Sequence, residues 1–440
     1  MTRTTAPARI RDERTFAVGS ISRVEGEGRL RVVIRGDEVV TAELSIFEAP
    51  RFFERLVVGR APDEVIDMVA RICGICPVAY QMTAAEAFER HFEVHLDPQV
   101  RQLRRLLYWG EWLQSHALHV YLLQAPDFLG YDSAIEMARD HRVIVERGLA
   151  LKQAGVDLMT LLGGRAVHPV SLRVGGFYHV PSRSALRALL PGLEQALADA
   201  RETVRWVATF ELPDFERDPL MLSLCDREHY ALDSGRLVST EGIDVDPADW
   251  DQVFSEQQVE HSTALQASSL DGRHHLVGPS ARVVLSGEGL HPAAREALEA
   301  AGGAELLRRN MFAAIIARGV EMIHAIAESM AIIEGYQAPT EPFAGWTPRA
   351  GVAAWSTEAP RGVLFHRYEV DDAGRVTAAR IVPPTSQNQA FIEDDMRGFV
   401  PSVIDLPEPE AAARLEALIR CYDPCISCAT HFLDLEIEKV

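Results

Sequence analysis

Two Cys-x-x-Cys pairs stand near opposite ends of the 440-residue chain, and they constrain its fold more than any other feature. The first lies in Arg-Ile-Cys-Gly-Ile-Cys-Pro (71–77), the second in Asp-Pro-Cys-Ile-Ser-Cys-Ala-Thr-His (423–431). In a Cys-x-x-Cys turn both sulfurs can face one metal. Two such turns offer four thiolates, which suit zinc, iron–sulfur, copper or nickel. Zinc ribbons place their pairs about 15–20 residues apart, whereas residues 77–424 separate Cys76 from Cys425 here. A shared site therefore forces the two ends of the chain together inside the fold. Spacing alone leaves a four-cysteine zinc site as a fair rival. A redox disulfide is a weaker one, because it needs a single pair and neither pair sits in a thioredoxin-like βαβ pattern.

The chain has only six cysteines, so Cys225 and Cys421 are left over. Lys plus Arg is 44 against 64 for Asp plus Glu, a net charge of -20. That charge excludes the basic footprint of a nucleic-acid surface and disfavours anionic membranes. Residues 1–14 are rich in Arg, Thr and Ala and lack the apolar core of a signal peptide. The most apolar long stretch, 311–333, is interrupted by Arg318, Glu321 and Glu328. It reads as a buried helix and not as a membrane span. The expectation is a soluble, cytoplasmic protein.

The start reads as β-rich, with runs at 29–34 and 39–46 flanking the turn signal Gly36-Asp37. Pro62 suits a first helical turn. Val65, Met68, Val69 and Ile72 then repeat at helical spacing and deliver Cys73 at a helix end, where Gly74 and Pro77 break it. Helical patterns follow at 78–94, 99–124, 133–162, 183–210 and 304–335. The run 281–285 reads as β-like, residues 352–382 as strands, and 386–398 and 408–420 as short helices. The predicted class is α+β, mainly α: a body of long helices with small peripheral sheets. A flexible tail over 1–15 and a single domain over 16–431 are expected.

At the cysteine segments the chain resembles the large subunits of nickel–iron hydrogenases. Ser-Arg-Val-Glu-Gly (22–26), Gly-Gly-Arg-Ala-Val-His-Pro (163–169), Glu-Ala-Pro-Arg-Gly (358–362) and Val-Pro-Pro-Thr (382–385) resemble further motifs of that family, in the family's order. The resemblance implies a nickel bound by Cys73, Cys76, Cys425 and Cys428. Cys76 and Cys428 would bridge to an iron carrying carbon monoxide and cyanide. It implies heterolytic cleavage of dihydrogen, with Glu25 as the proton relay and Arg361 as a cation over the metals. Pro360 and Thr385 would line the cyanides, with Asp423 in the outer shell. It also implies a magnesium or iron ion on Glu54, the main-chain carbonyl of Arg380 and the imidazole of His431. Without the cysteines, Glu25 would read as a surface carboxylate and Arg361 as an ordinary ion-pair arginine.

His116 and His119 share one predicted helix face, with a structural role favoured over metal binding. His168 lies in a family motif but carries no role derivable from the sequence. Two positions depart from the family: Tyr80 stands where many members have His, and Ser115 where many have Asp. Both keep hydrogen bonding but remove a group that titrates near neutrality. They resemble the cytoplasmic, nicotinamide-coupled branch. The resemblance also implies that residues 432–440 are an extension cut after His431 by a maturation protease.

Electrons need an exit. Two spare cysteines are too few for an iron–sulfur cluster, and no Gly-x-Gly-x-x-Gly occurs. The expected partner is an iron–sulfur small subunit. The family adds flavin and NAD(P) diaphorase subunits beyond it. The competing readings are a non-catalytic relative within a respiratory complex and a zinc-stabilised structural protein. Retention of all four cysteines with Glu25 and Arg361 argues for catalysis.

Overall fold

The computed structural model describes residues 13–36 and 38–430. Long helices dominate. Helix Pro98–Leu118 is the central one and packs against helices Arg142–Gly163 and Ala314–Gly335. It is buried along almost its whole length. Its close approach to Arg142–Gly163 depends on two glycines. A Cβ on Gly155 would lie 2.5 Å from the Gly110 carbonyl oxygen and 2.7 Å from the Gln114 nitrogen. Helix Ala314–Gly335 is the apolar stretch with buried charges, and Arg318 and Glu321 are both inside the protein. Among the described residues no helix is long and apolar enough to cross a membrane.

The sheets are small and antiparallel. Strands Glu13–Val18, Gly28–Arg35 and Glu38–Ile46 form one, and Gly351–Ala359, Gly362–Val370 and Val376–Val382 form another. Pairing starts at Glu13, inside the stretch expected to be tail. Ala359 pairs with Gly362, so Pro360 and Arg361 form a two-residue hairpin turn. Gly362 takes a positive φ of 133°, which glycine accepts without strain.

Several predicted elements are subdivided. The 99–124 pattern is an α-helix to Leu118 followed by a π-helical turn, His119–Gln124. The 304–335 pattern breaks at Asn310, whose side chain accepts the Phe312 N–H at 2.9 Å and starts a new turn. The β-like run 281–285 is a correction: it lies inside helix Pro279–Ser286. A short apolar run cannot be assigned by period alone, and the preceding Gly278-Pro279 is a helix-start signal. Pro77 ends the cysteine loop, but it also opens helix Pro77–His91.

Candidate metal centre

Helix Pro62–Val69 runs into a 3-10 turn, Ala70–Ile72, and Cys73 follows in extended conformation. Cys76 caps helix Pro77–His91. At the other end of the chain, helix Glu408–Cys421 leads through Asp423 to Cys425, and Cys428 sits in the 3-10 turn Ile426–Ala429. Asp423 has a φ of 54°, a left-handed position that Asp tolerates better than most residues. The two segments meet. Cys73 and Cys425 sulfurs are 3.5 Å apart, and those of Cys76 and Cys428 are 3.7 Å apart. All four sulfurs are buried and lie within 4.8 Å of one another. All are free thiols, and Cys225 and Cys421 stay outside the group.

The sulfurs share protons unequally. Burial opposes ionisation of Cys73, but hydrogen bonds from Cys425, Cys428 and Cys76 outweigh it, and Arg361 adds to them. Its thiol is held well below the usual range. Burial and the same neighbours push Cys425 well above that range. The Ile75 and Cys76 amides also point at the Cys73 sulfur, each at 3.3 Å. A soft cation is the natural charge balance for four such sulfurs. Their geometry and burial fit the nickel–iron group.

Glu25 is brought to this cluster by a parallel bridge to Cys425, with the Ile426 N–H donating to the Glu25 carbonyl at 3.0 Å. Its carboxylate oxygen Oε2 accepts the Ser427 N–H at 3.0 Å and lies 3.2 Å from the Cys425 sulfur. The next residue must be glycine. Gly26 has a φ of 87°, and a Cβ there would meet Glu48 Oε1 at 2.5 Å and Ile426 Cβ at 2.7 Å. The Ser427 hydroxyl donates to Glu48 Oε2 at 3.1 Å, so polar groups continue from Glu25 to a half-buried carboxylate.

Arg361 is buried beside the sulfurs. Its Nε donates to the Asp423 carbonyl at 2.8 Å and one terminal nitrogen to Asp423 Oδ1 at 3.0 Å. Burial opposes its charge, but Asp423 and the cysteine sulfurs hold its pKa well above the usual value. The other terminal nitrogen is buried without a partner among the described residues. Thr385, at the start of helix Pro384–Phe399, accepts the Cys425 N–H at 2.9 Å, a bond that leaves its hydroxyl proton unused. Pro360 lies next to Arg361 in the hairpin turn.

The second set is only partly in view. The half-buried Glu54 carboxylate accepts the Ile381 N–H at 2.7 Å, which places it beside Arg380. Burial pushes it up to about 8, with Glu256 adding to the rise. The Arg380 side chain pairs with Glu256 at 3.3 Å. His431 and the 432–440 extension lie outside the described residues.

The departures and the histidines have clear surroundings. Tyr80 and Ser115 are buried, and neither hydroxyl has a partner among the described residues. Burial raises Tyr80 well above its usual range, and the nearby Cys428 and Cys76 sulfurs add to that. His116 and His119 diverge. His116 Nε2 lies 2.8 Å from Glu321, and His119 Nε2 lies 2.8 Å from the Arg420 carbonyl. Burial lowers both. His168 has a positive φ of 51°, and its carbonyl accepts from Arg165.

Two supports escaped the sequence reading. Glu111 accepts the Val78 and Ala79 N–H groups at 2.5 and 3.0 Å, and Gln114 donates to the Ile75 carbonyl at 2.7 Å. Together they brace the first cysteine loop from the central helix. Arg282, Glu321 and Glu358 form a wholly buried ion network behind the Pro360–Arg361 turn. Nothing in the sequence spacing joins these residues.

A profile described as nickel-dependent hydrogenase matches residues 51–146 and 245–431, which takes in all four cysteines and Arg361. The chain belongs to the nickel-dependent hydrogenase family. It is 33% identical over 426 residues to sulfhydrogenase 1 subunit alpha of Pyrococcus furiosus, covering 96% of this chain and 98% of that one. It is 27% identical over 469 residues to the NAD-reducing hydrogenase HoxS subunit beta of Cupriavidus necator, covering 96% and 95%. Among solved structures it resembles an NAD+-reducing [NiFe]-hydrogenase in the H2-reduced state, with a TM-score of 0.86, 28% identity and coverage of 95% and 99%. A [NiFeSe] hydrogenase of Desulfovibrio vulgaris Hildenborough shares the fold, with a TM-score of 0.78 at 22% identity, covering 95% and 100%. As a member of this hydrogenase family, the chain is an oxidoreductase acting on dihydrogen, with a four-cysteine site for nickel and iron.

Proposed function

We propose that this chain catalyses the reversible heterolytic cleavage of dihydrogen at a nickel–iron centre and passes the electrons to a partner subunit. One observation carries the reading: four buried sulfurs lie within 4.8 Å of one another, and the Glu25 carboxylate sits 3.2 Å from one of them. Cys73, Cys76, Cys425 and Cys428 would hold the nickel–iron group, with Cys73 and Cys425 on nickel alone and Cys76 and Cys428 shared with an iron that would carry carbon monoxide and cyanide. When bound, these metals supply a soft, electron-accepting centre for splitting dihydrogen.

The protein's own part is to move the proton and stabilise charge. Glu25 receives the proton from the Cys425 sulfur across a contact of hydrogen-bond length. Ser427 lies between Glu25 and the half-buried Glu48, with its backbone N–H on the first and its hydroxyl on the second. Arg361 places a fixed positive charge beside the sulfur cluster, and its unused terminal nitrogen would be able to donate to a ligand of the iron. Thr385 is assigned as a donor to a cyanide, with Pro360 lining the same pocket and Asp423 orienting Arg361. A magnesium or iron ion is assigned to Glu54, the Arg380 carbonyl and His431, with cleavage after His431 on maturation.

An iron–sulfur small subunit is the proposed electron acceptor, followed by flavin-bearing diaphorase subunits and NAD(P). Similarity to the NAD-reducing HoxS beta subunit supports NAD(P) as the final acceptor. Infrared spectroscopy and metal analysis of the matured complex test the reading. Iron-bound carbon monoxide and cyanide bands with nickel and iron are expected. Zinc alone, with no such bands, would overturn it.

A further inference from the structure

We propose that Arg282 is a positioning residue that fixes the Pro360–Arg361 turn, and with it the cation beside the sulfur cluster. The inference rests on the assignment of Arg361 to the nickel–iron centre. Arg282 lies in helix Pro279–Ser286, the segment that reads as a strand in the sequence, and it is fully buried. A guanidinium has five N–H donors, and here each has an acceptor. Two go to Glu321 at 2.7 and 2.8 Å, and one goes to Glu358 at 3.0 Å. The remaining two go to the carbonyls of Ala359 and Pro360, each at 2.8 Å.

Those last two bonds set Arg282 apart from an ordinary buried ion pair. They are made to neutral peptide groups, and these are the two carbonyls that immediately precede Arg361. The rest of the turn is held by other groups. Trp112 donates to the Glu358 carbonyl at 3.1 Å and stacks under the Arg282 guanidinium at 4.1 Å. On the other side, the Arg361 carbonyl packs against Gly278, where a Cβ would sit 2.9 Å from it. The turn is thus gripped between Arg282 and the Gly278 backbone. Its outward side chain, Arg361, is fixed at its far end by Asp423. Both carboxylates pair with the one Arg282 charge, and Glu321 is itself oriented by Tyr230 at 2.7 Å. A planar fork can serve two carboxylates and two carbonyls at once. A lysine ammonium, with three donors on one atom, cannot.

Two variants of the matured complex test this. Arg282→Lys keeps the charge and removes the shared grip on the carbonyls. Gly278→Ala pushes the same peptide from the other side, at the start of the helix that carries Arg282. In both, the infrared bands of the iron-bound diatomic ligands should shift by several wavenumbers. The turnover number should fall by about 10- to 100-fold, the size expected of a displacement near 1 Å, with a much smaller change in KM for dihydrogen. Unshifted bands in both variants would overturn the proposal, even with lowered stability. If Arg282→Lys does not fold, Tyr230→Phe, which frees Glu321 and loosens the same fork, supplies the comparison, and unshifted bands there overturn the proposal. Absence of diatomic bands in the wild-type complex would instead refute the nickel–iron assignment, so the two failures are separable.

Discussion

The Glu25 carboxylate lies 3.2 Å from the Cys425 sulfur and is held there by the Ser427 amide at 3.0 Å. The contact joins residues from opposite ends of the chain and gives a proton a first step away from the sulfur cluster. A glutamine has nearly the same shape and keeps an acceptor for the Ser427 amide, but it cannot take the proton. Glu25→Gln should therefore slow exchange between dihydrogen and solvent deuterium by about 10²- to 10⁴-fold, the range of a lost general base. Nickel and iron content should stay at the wild-type level. Mass-spectrometric isotope exchange measures this; exchange at the wild-type rate would remove Glu25 from the relay.

How much of this was legible in the sequence depends on the range of the signal. The four cysteines, Glu25, Arg361 and Thr385 stand in short segments that resemble family motifs, and the structure brings these segments together. Gly26 stands in the segment of Glu25, where no side chain fits between Glu48 and Ile426. The supports were not readable. Glu111 reaches the cysteine loop only because one helix crosses another, and nothing local marks that crossing. Arg282 was hidden in an apolar run that reads equally well as a strand. The break at Asn310 is a local cap and the π-turn 119–124 a local change of hydrogen-bond step, neither of which a hydrophobic period of 3.6 residues reports.

Glu111 offers a direct measure of that hidden support. Its two oxygens accept the Val78 and Ala79 amides at the start of helix Pro77–His91, next to Cys76. In Glu111→Gln one oxygen becomes an NH2 group that faces an N–H donor. Leaving a buried donor unsatisfied costs about 1–3 kcal/mol. Chemical denaturation of the metal-free chain should show a loss of that size, and the variant should retain less nickel after dialysis against a chelator. Unchanged stability and retention would make Glu111 a bystander.

The crossing of the two long helices predicts a further, asymmetric result. Gly155 faces the Gly110 carbonyl and the Gln114 amide, both backbone atoms that cannot turn aside. Gly155→Ala should destabilise the chain by about 1–3 kcal/mol through overpacking. It should also disturb the cysteine loop, because Gln114 donates to the Ile75 carbonyl. Gly192, in helix Leu190–Val207, has nothing within 4 Å of its would-be Cβ. Gly192→Ala should therefore raise stability by about 0.4–1 kcal/mol. Equal effects at the two sites, read from denaturation midpoints, would contradict the packing argument.

A buried histidine away from the cysteines makes stability depend on pH. His275 is fully buried, its ring stands 4.4 Å from that of Phe254, and its Nε2 is 3.4 Å from Gln387. Burial lowers its pKa to about 4, against an unfolded value of about 6.5. The unfolded chain then binds a proton more readily than the folded one, so stability falls as pH drops from about 6.5 towards 4. From these two values the loss at pH 5 is about 2 kcal/mol. Buried His324, lowered to about 3, adds a loss of the same sign. His275→Phe keeps an aromatic ring against Phe254 and removes the titration. Whatever its stability at pH 7, the difference in unfolding free energy between pH 7 and pH 5 should shrink by about 2 kcal/mol. Chemical denaturation of the metal-free chain at the two pH values gives that difference directly. An unchanged difference would mean that the folded protein accepts the charge at this site.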